Sequence, residues 1–147
     1  MRRIIVGAAD FDSAALLADL EALGGGAVAS FTGLVRGEGG LSSMRLDHYP
    51  AMTEHALADI AARAEARWSL LGLVIIHRVG ELRPGDRIVF VGTASAHRAA
   101  ALEACHFLID WLKTEAPFWK KEAYCDGQSR WVEARADDDR AKARWDA

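Results

Sequence analysis

The chain has 147 residues, of which 51% are hydrophobic and 27% charged, which suits a single domain over residues 1–147 that buries about two-thirds of its unfolded surface. The formal net charge of −3 excludes a general basic field that would attract nucleic acid or a membrane, so any anion site must be local. No segment has the apolar length of a membrane span, and the first apolar run is too short for a signal peptide, so we expect a cytoplasmic protein.

The first third of the chain predicts a helix, a strand and a loop. The helix begins near Asp12 or Ser13, either of which can cap free backbone amides, and it has leucines at helical spacing: Leu16, Leu17, Leu20 and Leu23. Three consecutive glycines end it. A short apolar strand follows over Ala27–Phe31, and the glycine-rich stretch 32–40 predicts a flexible loop that contains Arg36.

The middle of the chain predicts three strands and a second helix. Alternation over Met44–Tyr49 indicates a strand, and Pro50 opens a helix with an apolar stripe of Met52, Ala56, Ile60, Ala64 and Trp68. The apolar runs Leu73–Ile76 and Arg87–Gly92 predict buried strands around a turn at 83–86, where a proline presets one dihedral and a glycine permits positive φ. These two strands could pair antiparallel.

A third helix is predicted from about His97 to Lys113. Ser95 is available as its cap, and its apolar face is formed by Leu102, Cys105, Ile109 and Leu112. Pro117 cannot continue the helix. The chain is then predicted to be extended from Phe118 to Cys125.

A turn at Asp126-Gly127 and a return strand over Arg130–Glu133 predict a C-terminal β-hairpin. Residues 137–147 form a charged tail, which we expect to fray or to pack on a partner. Because helical and strand segments are mixed without long linkers or a repeat, we expect a compact α+β fold with helices packed on a sheet.

Lysines crowd a proline and two aromatic residues in the segment 113–122. Repulsion between the ammonium groups and loss of water beside aromatic rings predict either a lysine with a lowered pKa or a charged cluster that binds an anion. On an extended strand Lys120 and Glu122 share one face and Lys121 points to the other, so Lys120 is the better companion for Lys113. Lys113 alone could equally stabilise the end of the helix dipole.

His97 and Arg98 lie at the start of the third helix, where free backbone amides and the helix dipole favour an anion. Either residue alone could also be a polar residue of an exposed first turn. A helix of this length spans roughly 25 Å, so one chain cannot easily bring both helix ends to one small ligand. A dimer could, with the helix start of one protomer near Lys113 of the other.

Neither the cysteines nor the histidines form a known metal or redox motif. Cys105 and Cys125 form no Cys-x-x-Cys pair, so we expect reduced, structural thiols. Four histidines lack metal-ligand spacing, and we expect core-edge or surface positions for His48, His55, His77 and His106. We therefore expect no metal site and no cofactor.

Six motifs occur in order along the chain: Phe31-Thr-Gly-Leu-Val-Arg36, Leu46-Asp-His-Tyr-Pro-Ala-Met-Thr-Glu54, His77-Arg-Val-Gly-Glu-Leu-Arg-Pro-Gly-Asp86, Ser95-Ala-His-Arg98, Leu112-Lys-Thr-Glu-Ala-Pro-Phe-Trp-Lys-Lys-Glu122 and Arg130-Trp-Val-Glu133. Together they resemble the large, catalytic subunit of molybdopterin synthase, from about Ala27 to Trp145. Six ordered motifs are far more specific than any one of them.

The resemblance implies a sulfurtransferase of molybdenum cofactor biosynthesis that converts cyclic pyranopterin monophosphate into dithiolene-bearing molybdopterin. In this family a small ubiquitin-like partner carries the sulfur as a thiocarboxylate on a C-terminal Gly-Gly tail, which threads into a pocket of the large subunit. Two copies of each subunit form a heterotetramer around a homodimer of large subunits. The implied fold is α/β-hammerhead-like, with a mixed or antiparallel sheet and a C-terminal hairpin.

Carried over by motif, Lys113 and Lys120 are the expected catalytic pair. The expected substrate pocket comprises both lysines together with Leu34, Val35, Arg36, His97, Arg98, Lys121 and Glu122. Some members of the family have lysine at the position of Leu34, where the backbone of this chain could still contact substrate. Because oxygen substituents leave and the cyclic phosphate opens, protons must move, and we assign the acid and base role to Lys113.

Two other classes of function also explain the lysines. One is a lyase that forms a Schiff base at Lys113. The other is a non-catalytic assembly subunit that binds an anion or a Gly-Gly tail without turnover. Both account for the lysines but not for the five other motifs, so we favour the synthase.

Overall fold

The structure is a computed structural model, and it describes residues 1–132 and 136–146, with the backbone alone for 136–138. The helices in this part are α1 (Ser13–Glu21), α2 (Pro50–Arg67), α3 (Arg98–Thr114) and α4 (Ala136–Ala143), followed by a 3-10 turn, Arg144–Asp146. The strands are β1 (Arg2–Gly7), β2 (Ala27–Leu34), β3 (Leu41–His48), β4 (Gly72–Arg78), β5 (Gly80–Leu82), β6 (Arg87–Ser95), β7 (Phe118–Tyr124) and β8 (Ser129–Val132). None of the described helices is long and apolar enough to cross a membrane.

The strands form two four-stranded sheets. The first has the order β1-β4-β6-β2 and is mixed, because β1 runs parallel to β4 while the other pairs are antiparallel. The second, β5-β3-β7-β8, is antiparallel throughout. The antiparallel pairing of the two middle apolar runs is confirmed, although the short strand β5 lies between them in sequence and pairs with β3. The α+β fold class is also confirmed.

Strand β4 separates two hydrophobic clusters, because successive side chains of a strand point to opposite faces. Leu73 and Ile75 belong to the larger cluster, which also contains side chains of α2 and α3. Val74 and Ile76 pack on the other face with α1. The larger cluster includes Met44 from the second sheet, so both sheets share one core and form one domain.

Helix α1 begins as its sequence predicts. The Asp12 carboxylate accepts hydrogen bonds from the backbone N–H groups of Ala14 and Ala15, at 3.0 and 3.3 Å, and so satisfies two of the free donors of the first turn. Leu16 and Leu20 are buried in the smaller cluster. The helix ends at Glu21, before the three glycines.

The predicted buried faces of α2 and α3 are partly wrong. Met52 and Leu102 are 55% and 60% exposed. The buried face of α2 comprises Thr53, Leu57, Ile60, Ala61 and Ala64. Both helices are rich in alanine, so neighbouring stripes are almost equally apolar and periodicity does not distinguish them. Ser95 is not the cap of α3 either, because it ends β6 and its hydroxyl donates to the carbonyl oxygen of Ser69 at 2.8 Å.

Strands β7 and β8 form the predicted C-terminal hairpin. They pair antiparallel, with Lys120 opposite Val132 and Glu122 opposite Arg130. The predicted return strand is described as far as Val132, and its last residue, Glu133, lies outside the described residues. Strand β8 of the hairpin forms one edge of the second sheet.

The C-terminal segment packs on its own chain through Trp145. Its ring lies 5.7 Å, centroid to centroid, from the rings of both Trp68 and Phe107. Its Nε1–H donates to the Asp110 carboxylate at 2.8 Å. We expected this tail to fray or to pack on a partner. Trp145 instead packs the described part of the tail against its own chain.

Candidate functional site

A cavity of about 880 Å³ opens between the C-terminal end of α3, the β7–β8 hairpin and the loop after β2. Its described wall has four cationic side chains and two anionic ones: Arg36, Lys113, Lys120 and Arg130 against Glu38 and Glu122. This wall therefore has a formal charge of four minus two, or +2, in a chain whose net charge is −3. A local excess of positive charge of this kind favours an anionic ligand.

Two different elements bring the lysines to this cavity. Lys113 lies in the last turn of α3, where a cation is favourable beside the free carbonyl groups. After Pro117 the chain enters β7, whose alternation directs Phe118, Lys120 and Glu122 to the cavity. Both expected catalytic lysines thus line one cavity, in agreement with their pairing by sequence.

Glu122 belongs to a small polar cluster on the hairpin. The Tyr124 hydroxyl donates to the Glu122 carboxylate, and Arg130 Nη2 donates to the Tyr124 hydroxyl oxygen at 2.6 Å. The bond to Glu122 raises the pKa of the Tyr124 hydroxyl. All three side chains line the cavity, so Glu122 is held in place by a neighbour on its own strand and by the strand opposite.

The loop after β2 forms the rim of the cavity, and backbone hydrogen bonds fasten it. The Val35 N–H donates to the Asp86 carbonyl, and the Gly85 N–H donates to the Val35 carbonyl, both at 2.9 Å. These bonds tie the rim to the predicted turn at 83–86, in which Gly85 has a φ of +91°. Leu34 and Arg36 flank Val35 and have exposed side chains at the cavity.

His77 lines the same cavity but is only 7% exposed. Its ring is stacked on that of Phe118, with centroids 3.9 Å apart and planes inclined by 14°. Burial lowers the pKa of His77 from 6.5 to about 4, and the charges of Lys113 and Lys120 act in the same direction. The imidazole is therefore neutral near pH 7.

Three of the expected pocket residues lie outside the cavity of a single chain. His97 and Arg98 are exposed at the N-terminal end of α3, which has 17 residues and holds Lys113 near its other end. Lys121 points to the opposite face of β7, where its ammonium lies 5.6 Å from the centre of the Trp131 indole ring. The substrate contacts expected for these three residues remain predictions, as do those of the residues that line the cavity.

Comparison with known proteins assigns the chain to a family. The family model described as MoaE protein matches residues 6–115. The chain belongs to the MoaE family. It is 55% identical to the molybdopterin synthase catalytic subunit of Ralstonia nicotianae, with 99% of this chain and 85% of that protein covered. The resemblance carried by the six motifs is thereby confirmed.

Solved structures agree with this family assignment. The molybdopterin biosynthesis MoaE protein from Burkholderia ambifaria has a TM-score of 0.85 and 50% identity, over 100% of this chain and 99% of that one. A protein–protein complex of subunits 1 and 2 of molybdopterin-converting factor from Helicobacter pylori matches with a TM-score of 0.72 and 26% identity, over 91% of each chain. The fold is therefore that of the MoaE family.

Sequence reasoning missed three residues of the site: His77, Tyr124 and Arg130. A signal for each exists in the sequence. Tyr124 follows Glu122 by two positions and so shares its strand face, and Arg130 begins the predicted return strand. His77 continues the face of Leu73 and Ile75, so it could have been placed with the larger core. Among the described residues, no group of three or more histidine, cysteine or acidic side chains could hold a metal.

Proposed function

We propose that this chain is the catalytic subunit of a molybdopterin synthase and acts as a sulfurtransferase in molybdenum cofactor biosynthesis. It transfers sulfur from the thiocarboxylated C-terminus of a small ubiquitin-like subunit to cyclic pyranopterin monophosphate, giving the dithiolene of molybdopterin. One observation carries the proposal: Lys113 and Lys120 line one cavity, in a chain closely related to a molybdopterin synthase catalytic subunit.

The charge of the cavity suits this pair of reactants. The substrate has a cyclic phosphate and the incoming tail ends in a thiocarboxylate, so the two anions repel each other as they approach. Four cations on the described wall offset that repulsion, and the partly enclosed cavity strengthens their effect relative to bulk water. The acidic chain as a whole would not attract either reactant.

The reaction also needs proton transfers that a lysine can perform. Each transfer forms a carbon–sulfur bond on the substrate and breaks the bond between sulfur and the acyl carbon of the tail, which water converts to a carboxylate. An oxygen substituent leaves the substrate and takes up a proton. The Lys113 ammonium donates that proton, and the resulting amine accepts one from the attacking water. Lys120 binds an anionic group of the reactants beside Lys113.

A second copy of the chain completes the pocket. His97 and Arg98 are exposed about a helix length, roughly 25 Å, from Lys113, and an anion-binding role for them requires another protomer. The exposed Leu102 lies one turn further along the same helix and gives such an interface an apolar contact. The Helicobacter pylori complex of two subunits supports a small-subunit partner, and with a homodimer at its centre the assembly is a heterotetramer in the cytoplasm.

A reconstituted assay tests the proposal. Purified chain is mixed with cyclic pyranopterin monophosphate and thiocarboxylated small subunit, and the dithiolene product is measured. The matched control is a small subunit that ends in an ordinary carboxylate, with which we expect no product. Absence of product despite a demonstrated complex with the thiocarboxylated subunit would overturn the enzyme assignment.

A further inference from the structure

The Tyr124 hydroxyl lies between two cavity side chains of opposite charge. Glu122 precedes Tyr124 by two positions on β7, and Arg130 lies opposite Glu122 in the register of β7 and β8. Side chains that face each other across an antiparallel pair have Cβ atoms about 5 Å apart, a distance that a direct ion pair can span. The tyrosine therefore separates two groups that the strand register places face to face.

The direction of the two hydrogen bonds follows from the groups themselves. An ionised carboxylate only accepts and a guanidinium only donates, whereas a hydroxyl has one proton and two lone pairs. The Tyr124 hydroxyl donates to the Glu122 carboxylate and accepts from Arg130 Nη2 at 2.6 Å. Its single proton is engaged by Glu122, so the hydroxyl acts through its two neighbours and not as a donor to a ligand.

A second contact holds the Arg130 side chain. Its guanidinium carbon lies 4.8 Å from the centre of the Tyr124 ring, within the range of a cation–π interaction. Tyr124 thus contacts the guanidinium through both its ring and its hydroxyl. Phenylalanine at this position would keep the first contact and lose the second, so the role of the hydroxyl can be tested separately.

Backbone hydrogen bonds of the hairpin turn hold Tyr124 itself. Its N–H donates to the Gln128 carbonyl oxygen at 2.8 Å, and its own carbonyl oxygen accepts from the Gly127 N–H at 3.0 Å. The Cys125 N–H donates to the Gly40 carbonyl oxygen at 2.8 Å, which ties the turn to the residue before β3. Because the backbone on both sides of the ring is fastened, the hydroxyl has a defined position in the cavity wall.

The Arg130 guanidinium has more donors than the tyrosine uses. It has five N–H donors in a planar fork, and the Tyr124 hydroxyl accepts from one of them. Such a fork binds a phosphate or a carboxylate through two parallel N–H donors. Arg130 is exposed at the cavity, so an oxyanion that enters can reach it. A direct ion pair with Glu122 would instead occupy the fork and offset its charge.

We propose that Arg130 binds an oxyanion in the cavity and that Tyr124 is its positioning residue: the hydroxyl, bonded to both side chains, keeps the Arg130 guanidinium from pairing directly with Glu122. The ligand is a phosphate or a carboxylate group. Its assignment to a reactant, either the phosphate of the pterin substrate or the C-terminus of the small subunit, rests on the proposed function. The binding of an oxyanion at Arg130 does not.

The first test observes Arg130 directly and needs no turnover. In protein labelled with ¹⁵N-arginine, the Arg130 Nε–H resonance is identified by its absence from Arg130→Lys. We expect inorganic phosphate to shift this resonance in the unmodified chain, and to shift it less in Tyr124→Phe. Arg45, an exposed arginine of β3 that pairs with Asp47, is the reference for non-specific binding. A shift of Arg130 no larger than that of Arg45 would overturn the proposal, whether or not the chain makes product.

The second test distinguishes the two oxyanions. The pterin substrate alone, and a small subunit that ends in an ordinary carboxylate, each bind without turnover, and their dissociation constants are measured. We expect Arg130→Met to weaken the binding of at least one of them about 10- to 100-fold, the range for a lost hydrogen bond to a charged group, and Arg130→Lys to weaken it less. Weaker binding of the pterin identifies the phosphate, and weaker binding of the small subunit identifies the carboxylate.

Arg45→Met is the matched control for this measurement. It removes the same charge from an exposed position and should leave both dissociation constants nearly unchanged, because exposed charges are screened by salt. Equal losses in Arg130→Met and Arg45→Met, or no loss in folded Arg130→Met for either reactant, would contradict a binding role for Arg130.

The third test isolates the tyrosine hydroxyl through its coupling to Glu122. If the hydroxyl keeps Glu122 and Arg130 apart, Tyr124→Phe weakens binding of the reactant identified above. The same change should have little effect in Glu122→Gln, where no carboxylate competes for the guanidinium. Equal losses in both backgrounds would mean that the two residues act independently, and the positioning role would be wrong.

The outcomes separate this inference from the proposed function. If the unmodified chain makes no product with thiocarboxylated small subunit, the proposed function fails, and the phosphate titration still decides whether Arg130 binds an oxyanion. In an active chain we expect Tyr124→Phe to raise KM for the identified reactant and to change kcat little. A lower kcat with both KM values unchanged would leave the proposed function intact and overturn the role of Tyr124 in binding.

Discussion

Lys113 and Lys120 reach one cavity from two elements that Pro117 separates, the last turn of α3 and the strand β7. Their relative position therefore depends on how α3 and the second sheet pack, and not on the local segment alone. Changes in the packing between α3 and the second sheet are therefore expected to move the two lysines relative to each other.

Replacing either lysine tests the catalytic pair. We expect Lys113→Ala to lower conversion of the pterin substrate by about 100-fold or more, the usual cost of losing a positioned acid or base. We expect Lys120→Ala to lower it by about 100-fold as well, because a positive contact to the reacting anion is lost. The measurement is single-turnover product formation with thiocarboxylated small subunit. The complex with that subunit should still form.

Arg45→Ala is the matched control for these variants. Arg45 is an exposed cation on β3, opposite Lys121 in the strand register, and it pairs with Asp47 at 3.1 Å. Its removal changes the net charge by the same amount away from the cavity. Equal losses in Arg45→Ala and Lys113→Ala would mean that overall charge, and not the lysine pair, sets the rate.

Mixed dimers test whether two protomers share a pocket. Arg98→Ala and Lys113→Ala are each expected to be inactive alone. If the pocket combines Arg98 of one protomer with Lys113 of the other, a mixed dimer has one intact and one doubly altered pocket. Random exchange of subunits should then restore about one quarter of the full activity. No recovery after verified exchange would show that each pocket uses a single protomer.

The buried, neutral state of His77 makes folding stability depend on pH. Its pKa is about 4 in the folded chain against 6.5 as the ordinary value, so the unfolded chain binds the proton first as pH falls. The stabilisation is complete above pH 6.5 and is lost towards pH 4, by about 3 kcal/mol. The charges of Lys113 and Lys120 act in this direction too.

Urea unfolding at a series of pH values measures this effect. His77→Gln does not titrate at this position and is the reference variant. Between pH 7 and pH 4 we expect the free energy of unfolding to fall by about 3 kcal/mol more in the unmodified chain than in His77→Gln. Identical pH slopes would contradict the assignment of this loss to His77.

The two free cysteines are expected to be dispensable for sulfur transfer. Cys105 is buried, and burial raises the pKa of its thiol to about 11, so it is not a thiolate at neutral pH. Cys125 is exposed on the hairpin turn. Product formation by Cys105→Ser and Cys125→Ser should remain close to that of the unmodified chain. Loss of turnover in a variant that folds and binds its partner would instead show that this cysteine takes part in the reaction.

Features governed by neighbouring residues were accessible from sequence. The Asp12 cap follows from the chemistry of a first helical turn, and the common face of Lys120 and Glu122 follows from the period of a strand. Pro117 likewise predicted that α3 ends before it, because proline cannot continue a helix. Each of these depends on a few consecutive residues.

Features governed by distant contacts were not accessible in this way. The stack of His77 on Phe118 joins strands of two different sheets, and the anchor of Trp145 on Trp68 joins the C-terminal segment to the end of α2. No local period encodes either contact. In the alanine-rich helices α2 and α3, the buried stripe is likewise determined by the surface against which each helix packs, and not by hydrophobicity alone.

Because β4 divides the core into two layers, we expect the layers to differ in how well they tolerate substitution. Side chains between α1 and the first sheet, such as Leu20 and Phe90, lie on the face of β4 away from His77 and the lysines. We expect changes in size there to affect the melting temperature more than the shape of the cavity, because the first sheet lies between this layer and the lysines. We therefore expect substitutions that raise stability to be better tolerated in the α1 layer than in the layer that borders the cavity.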